Sequence, residues 1–410
     1  MSAANAREGS GAIRDMIADA VAGKPVYISR VHSYFASLPE GQADRIVLAV
    51  RLLDTEGEKA WELRLPRLEA CSKQEREFVR NYIHAEIYNI LSSMGARSMT
   101  VFADPAVNDV LDLAKDLDKA FCVDQPRGRR RGYGRTVNVL DRMMAAVHPG
   151  EPLFRFEISP LSSLSAILPL PRPEGDGLSA FRRCTAGLEG KAFCGIDVGG
   201  TDIKAVLVDD GKVIDYKEYD WFPASFRRSR QLVEPILQIV RLLQARLRLH
   251  REEAPLFDGI GLCFPDVVVR NKIVGGEVYK TRGIRGNPEL DYESDFAELT
   301  DLDTRLKAWV KPGGVVRIIN DGPMAAFTAA VEIAASPEAD KVAKGVFAHT
   351  LGTELGTGWV TKEGAIPDIP LEVYNFIIDL GSWPERAYEP DDLRSVNNFN
   401  TGLPGTLQKY

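Results

Sequence analysis

The sequence predicts an α/β layered domain preceded by a separate α+β region, and three observations carry that expectation. From residue 191 onward, apolar runs of strand character alternate with stretches of helical apolar spacing, the pattern of a layered domain with its sites at strand ends. Within it, "CGIDVGGTDIKAVLVD" (Cys194 to Asp209) reads as two apolar strands joined by a tight turn holding one carboxylate and two glycines. Ahead of it, residues 161–190 are rich in Pro, Gly and Ser. They read as a linker or covering arm between a domain over 1–160 and one over 191–410.

Bulk properties narrow the function classes. A chain of 410 residues is long enough for two or three domains. Its hydrophobic content of 45% and charged content of 27% are ordinary for a globular protein. A net charge of −7 argues against a dedicated nucleic-acid binder and for an anion site that is local. The five cysteines are scattered, with no CxxC pair, which suits reduced thiols and not a disulfide framework. The N-terminus lacks the apolar core of a secretory signal, and no run approaches the ~18 apolar residues of a membrane span. A cytoplasmic protein without membrane contact is expected.

In the first region, Val26–Val31, Arg45–Leu53 and Trp61–Leu65 are β-rich runs, the last two flanking the hairpin signal "DTEGEK". Ser72 and Glu75 form a capping box that opens a helix to about Met94. A strand is expected over Ser98–Asp104 and a second helix over Asn108–Phe121. The basic run "RGRRRGYGR" (Arg127 to Arg135) has the composition to touch RNA or a phosphate, but such runs are more often solvated loops, so nucleic acid is not an expected partner. Nothing reads as a helix-turn-helix, and no activity attaches to this region.

The second region begins as a β-meander followed by an amphipathic helix over Ser229–His250. A strand and proline turn follow ("GIGLCFP", Gly259 to Pro265), then a polar stretch over 270–300 and a helix around Leu302–Val310. Next come the strand "GVVRIIN" (Gly314 to Asn320), a helix from Pro323 and a glycine-rich hairpin from Gly345.

The chemistry sits in the turns. Gly199 and Gly200 can take positive φ and carry no Cβ, so their N–H groups can approach an anion closely. Thr201 adds a hydroxyl and Lys204 a cation. Asp197 would repel phosphate unless a divalent cation or water lies between them, which points to Mg-nucleotide chemistry with Asp197 holding Mg²⁺ through water. An ordinary hairpin with a Gly-Gly turn is the plain alternative. Asp321 ends an apolar strand and precedes a helix, where a side chain projects into a cleft; it suits a general base, or else a helix N-cap. Asn320 beside it can hydrogen-bond neighbouring hydroxyls. In the second glycine loop, Gly352, Thr353, Gly356 and Thr357 can hold terminal phosphates, or form a flexible turn. Glu354 in that loop must point away or pair with a cation, unless the loop has lost nucleotide affinity.

Five segments, in order, resemble the ROK (repressor, open reading frame and sugar kinase) family of the sugar kinase, Hsp70 and actin superfamily: "GIDVGGTDIKAVLVD", "DGIGLCFPDVV", "VVRIINDGPMAAFTAA", "FAHTLGTELGTGWV" and "GLPGTLQKY". The resemblance covers residues 191–410 and implies an actin-like ATPase (ribonuclease H-like) fold. It implies an ATP- and Mg²⁺-dependent kinase acting on a small-molecule sugar, with Asp321 as the catalytic base. It also places Glu372, Asn375 and Gln408 in the sugar site together with Asn320 and Asp321. Asn375 stands where the family has histidine, and Gln408 where it has glutamate. The family's zinc-binding cysteines have no counterpart here, so no zinc site is expected. The chain also stops before the family's adenosine element, which suggests a fragment or a degenerate member. The alternative is a catalytically silent sugar or sugar-phosphate binder, and a homodimer is one assembly compatible with either reading.

Overall fold

The computed structural model describes residues 3–55, 57–167, 175–184, 186–251, 256–351, 355–382 and 394–395. They form two compact units, one built on Met1–Arg172 and the residues from Ile369 on, the other on Pro173–Gly352 and Gly356–Asp368. The residues from Ile369 on, expected in the second domain, thus group with the N-terminal unit. Among the described residues, no helix is long and apolar enough to cross a membrane.

The N-terminal unit holds helices α1 (Ala3–Val21), α2 (Ile28–Ala36), α3 (Lys73–Met94), α4 (Pro105–Leu111), α5 (Leu113–Ala120) and α6 (Gly134–Val147). Its sheet has the order β2-β1-β3-β4, from β1 (Ala43–Arg51), β2 (Glu58–Pro66), β3 (Ser98–Ala103) and β4 (Arg155–Pro160). The capping box forms as expected: Ser72 Oγ accepts from Glu75 N, and Glu75 Oε2 accepts from Ser72 N. Two expectations are corrected. Val26–Val31 is not a strand, because Val31 and Phe35 lie one helical turn apart and bury together on α2. The helix expected over Asn108–Phe121 is broken in two at Asp112, which takes φ 50° between α4 and α5. The first part of the expected linker is a covering arm, with Leu161, Leu164 and Ile167 packed on Val47, Ala49 and Phe102.

The second unit comprises α7 (Gly177–Arg183), β5 (Ala192–Val198), β6 (Asp202–Asp209), β7 (Lys212–Asp220), α8 (Arg230–Arg248), β8 (Phe257–Phe264), β9 (Val268–Val269), β10 (Lys272–Ile273), α9 (Arg282–Arg285), α10 (Tyr292–Thr300), α11 (Leu302–Leu306), β11 (Val310–Asn320), α12 (Asp321–Ala334), β12 (Val346–Leu351) and β13 (Leu355–Val360). Its five-stranded sheet has the order β11-β8-β5-β6-β7. The meander β5-β6-β7 is antiparallel, while β8 and β11 run parallel to β5. This is an α/β layered unit with a mixed five-stranded sheet. Alternation along the strands decides what lies where. Cys194, Ile196, Val198, Ile203, Ala205, Leu207, Ile260, Leu262 and Phe264 face a core shared with α8. The intervening residues, Asp197, Lys204 and Cys263 among them, therefore face the other way. On α12, Ala326, Ala330 and Ala334 pack with Phe181 of α7 and Val360 of β13.

The last described elements, β14 (Ile377–Asp379) and β15 (Arg394–Ser395), belong to the N-terminal unit. Asn89 of α3 bonds Ile377 in both directions, Nδ2 to its carbonyl (3.1 Å) and Oδ1 from its N–H (2.8 Å). The fully buried Asp379 accepts from Val26 N (2.6 Å) and Gly381 N (2.7 Å).

Candidate functional site

Three parallel strands deliver the acidic residues to one end of the second unit's sheet. Asp197 on β5 pairs in register with Cys263 on β8, and Ile319 on β11 pairs with Cys263 from the other side. Asn320 and Asp321 follow immediately as β11 gives way to α12. The Cys263 thiol donates to Asp197 Oδ1 at 2.9 Å. Burial, the Asp197 charge and hydrogen bond, and the Asp321 charge all push that thiol well above the usual cysteine range, so it stays a donor. Asp197 itself is exposed at the strand end.

The first glycine turn is held by backbone contacts. Gly199 N donates to Asp202 O at 2.8 Å, and a Cβ on Gly199 would lie 2.9 Å from that oxygen. Gly199 does not use positive φ. Its requirement is room, which corrects the sequence expectation. Trp221 buttresses the turn, donating Nε1 to Gly199 O (3.0 Å) and its backbone N–H to Thr201 O (3.0 Å). Thr201 Oγ1 donates to Asp202 Oδ2 at 3.3 Å. Lys204 lies opposite Asp197 on β6 but is engaged by Asp202 and, at 3.8 Å, by Glu218. The Asp202 hydrogen bond raises the Lys204 ammonium above its ordinary value.

Asn320, not Asp321, is the cap of α12. Its Oδ1 accepts from Gly322 N at 2.9 Å, and its Nδ2 donates to Asp266 O at 2.8 Å. Asp321 occupies the first helical position, half-buried, and its Oδ1 also accepts from Gly322 N at 2.9 Å. The N-cap position offered to Asp321 is thus held by Asn320, with Asp321 Oδ1 sharing the same Gly322 N–H.

The second hairpin lies directly on this helix start. A Cβ on Gly322 would sit 2.2 Å from Thr357 O, and one on Gly358 would sit 1.9 Å from Gly322 O. Glycine is required on both sides of the contact. Gly356 is similarly crowded, 2.3 Å from Thr350 Oγ1. The Thr357 hydroxyl is buried and bonded to His349 Nδ1 at 3.0 Å. Gly352, Thr353 and Glu354 lie outside the described residues, as does Gln408.

Of the expected site residues, Asp197, Gly199, Gly200, Thr201, Lys204, Asn320, Asp321, Gly356 and Thr357 lie within one unit. Glu372 and Asn375 belong to the other unit, where the Glu372 carboxylate accepts from the Tyr374 hydroxyl and, at 3.4 Å, from Asn375 Nδ2. The basic run of that unit is partly structural. Arg130 is buried, pairs with Asp141 at 2.5 Å and donates to the carbonyls of Cys122, Val123 and Gln125. Cys263 and Asp266 escape sequence reasoning because Asp197, which the Cys263 thiol meets, and Asn320, which the Asp266 carbonyl meets, lie 66 and 54 residues away; the acid after the proline turn in "CFPD" is the available signal.

No family model and no curated protein matches the chain. Among solved structures, an inorganic polyphosphate/ATP-glucomannokinase from Arthrobacter sp. strain KM is 25% identical over 43% of this chain and 60% of that one, with a TM-score of 0.29. A ROK family glucokinase from Streptomyces griseus, solved with glucose and AMPPNP, is 19% identical over 45% of this chain and 49% of that one, with a TM-score of 0.30. A Bacteroides thetaiotaomicron protein with an actin-like ATPase fold is 14% identical over 46% of this chain and 50% of that one, with a TM-score of 0.19. The chain spans about half to three fifths of the length of these proteins.

Proposed function

We propose that the chain is an ATP-dependent sugar kinase of ROK type, with Asp321 as the general base. One observation carries this reading: Asp197 near the end of β5 and Asp321 just past the same end of β11 flank β8, the strand parallel to both, beside backbone that admits only glycine at Gly199 and Gly322. Phosphoryl transfer needs little else from a protein than held phosphates, offset charge and a placed base. The turn after Asp197 would present the Gly200 backbone N–H and, on exchanging Asp202 for phosphate, the Thr201 hydroxyl to phosphate oxygens. Asp197 fits a hydrated Mg²⁺, being an exposed carboxylate with one oxygen oriented by the Cys263 thiol. When bound, Mg²⁺ would offset charge on the transferring phosphoryl oxygens. Asp321 would accept the proton of the attacking sugar hydroxyl, and Asn320, already committed at both ends of its amide, would fix where Asp321 begins.

The test is ADP release over a panel of sugars, comparing wild type with Asp321→Asn. Loss of a general base lowers kcat about 10²- to 10⁴-fold. Equal, slow ADP release by both proteins would overturn the reading. A silent sugar or sugar-phosphate binder is the second reading, favoured by Lys204 being tied to Asp202 and by the Thr357 hydroxyl being bonded to His349. A sugar that raises the melting temperature without ADP release would establish it.

A further inference from the structure

Asp266 has no role in the chemistry above, yet it is the most thoroughly engaged carboxylate near the site. It is 2% exposed. Its Oδ1 accepts from Val267 N at 2.8 Å and its Oδ2 from Gly276 N at 2.7 Å, which clamps the proline turn after β8 to the loop after β10. A Cβ on Gly275 would lie 1.6 Å from Asp266 Oδ1, so the loop can close on this carboxylate only with glycine there. Gly276 is anchored in turn, for its carbonyl accepts from Thr281 Oγ1 (2.8 Å), Arg285 Nη1 (2.8 Å) and Tyr292 Oη (2.7 Å).

This clamped loop grips the end of β11 at successive points. Asn271 Nδ2 donates to Val316 O (3.3 Å) and Asn271 Oδ1 accepts from Ile318 N (3.0 Å). Two residues on, the Asp266 carbonyl accepts from Asn320 Nδ2 (2.8 Å), and Asn320 caps the helix that Asp321 begins. We propose that Asp266 is a positioning residue for Asp321, acting through the 264–276 loop and the Asn320 cap to set where the α12 start and its first carboxylate lie. A buried anion is costly unless fully hydrogen-bonded. An apolar turn would fold the loop without that penalty, so the acid's use is orientational: it fixes two backbone N–H groups and thereby aims one carbonyl at Asn320.

The inference rests on the kinase reading for its catalytic consequence but not for its wiring, and the experiment separates the two. Amide hydrogen exchange is followed over residues 318–326 in full-length wild type and Asp266→Asn, alongside sugar-kinase kinetics. The expected result is faster exchange confined to 318–326 and the 264–276 loop, with kcat lowered about 10- to 100-fold and KM for ATP unchanged, since a small displacement of a reacting group costs rate and not affinity. Local exchange without activity in either protein would sink the kinase reading and leave the positioning role standing. Unchanged exchange over 318–326, or a uniform rise across the unit, would overturn the proposal whatever the kinetics. Tyr292→Phe removes one of the three donors to Gly276 and serves if Asp266→Asn does not fold. It should give the same local pattern with kcat reduced severalfold, and unchanged exchange there would overturn the proposal equally.

Discussion

At Gly322 a methyl group has nowhere to go, because the carbonyl of Thr357 stands 2.2 Å from where it would sit. Gly322→Ala must move either the α12 start or the second hairpin. We expect a loss of about 1–3 kcal/mol, read as a lower urea midpoint at unchanged slope; an unchanged midpoint would show that the contact is not required. Cys194, buried in the sheet three residues before Asp197, offers a pH test. Burial pushes its thiol up to about 12 from an ordinary value of 9.0. The unfolded chain releases this proton first, so below pH 9 the thiol adds no pH dependence, and between 9 and 12 stability falls as pH rises. Cys194→Ala should shallow the alkaline limb of a stability-versus-pH curve, and identical limbs in the two proteins would contradict the burial.

Elements are held in register by single side chains as much as by ladders. Asn271 hydrogen-bonds Val316 and Ile318 along β11, the edge strand next to β8, and thereby occupies an edge that would otherwise invite pairing. It sits at φ 68°, a conformation that alanine adopts at a cost of about 1–2 kcal/mol. Asn271→Ala should lower stability by about 2–3 kcal/mol through strain and lost hydrogen bonds. Light scattering on the variant should show self-association, and a monodisperse, equally stable variant would refute the edge role. Legibility also divides at this scale. The α3 capping box is visible because its two partners are three residues apart. The break at Asp112 is hidden because the apolar spacing continues past it, with Leu111, Leu113 and Leu117 all buried.

The whole chain is linked by contacts that no local pattern announces. Asp379 and Val26 are 353 residues apart, yet the carboxylate accepts the Val26 N–H with no exposure to solvent. Asp379→Ala leaves two buried backbone donors without that acceptor, at a cost of about 1–3 kcal/mol. Hydrogen exchange should rise around the start of α2 and in β14 while β5, β8 and β11 keep their protection. Equal loosening of both units would show that they do not unfold separately.

Sequence alone determined the second unit's meander, its long amphipathic helix, the acidic strand end at Asn320–Asp321 and the glycine turns, since each is written in residues a few positions apart. Only the tertiary structure decided that Asn320 and not Asp321 caps α12, that Cys263 holds Asp197, that Asp266 reaches Asn320, and that the segment around Asp379 joins the N-terminal unit. The physical reason is common to all four. Strand periodicity and turn chemistry act over one or two turns of chain, whereas register between parallel strands and burial of a carboxylate depend on which distant backbone packs alongside.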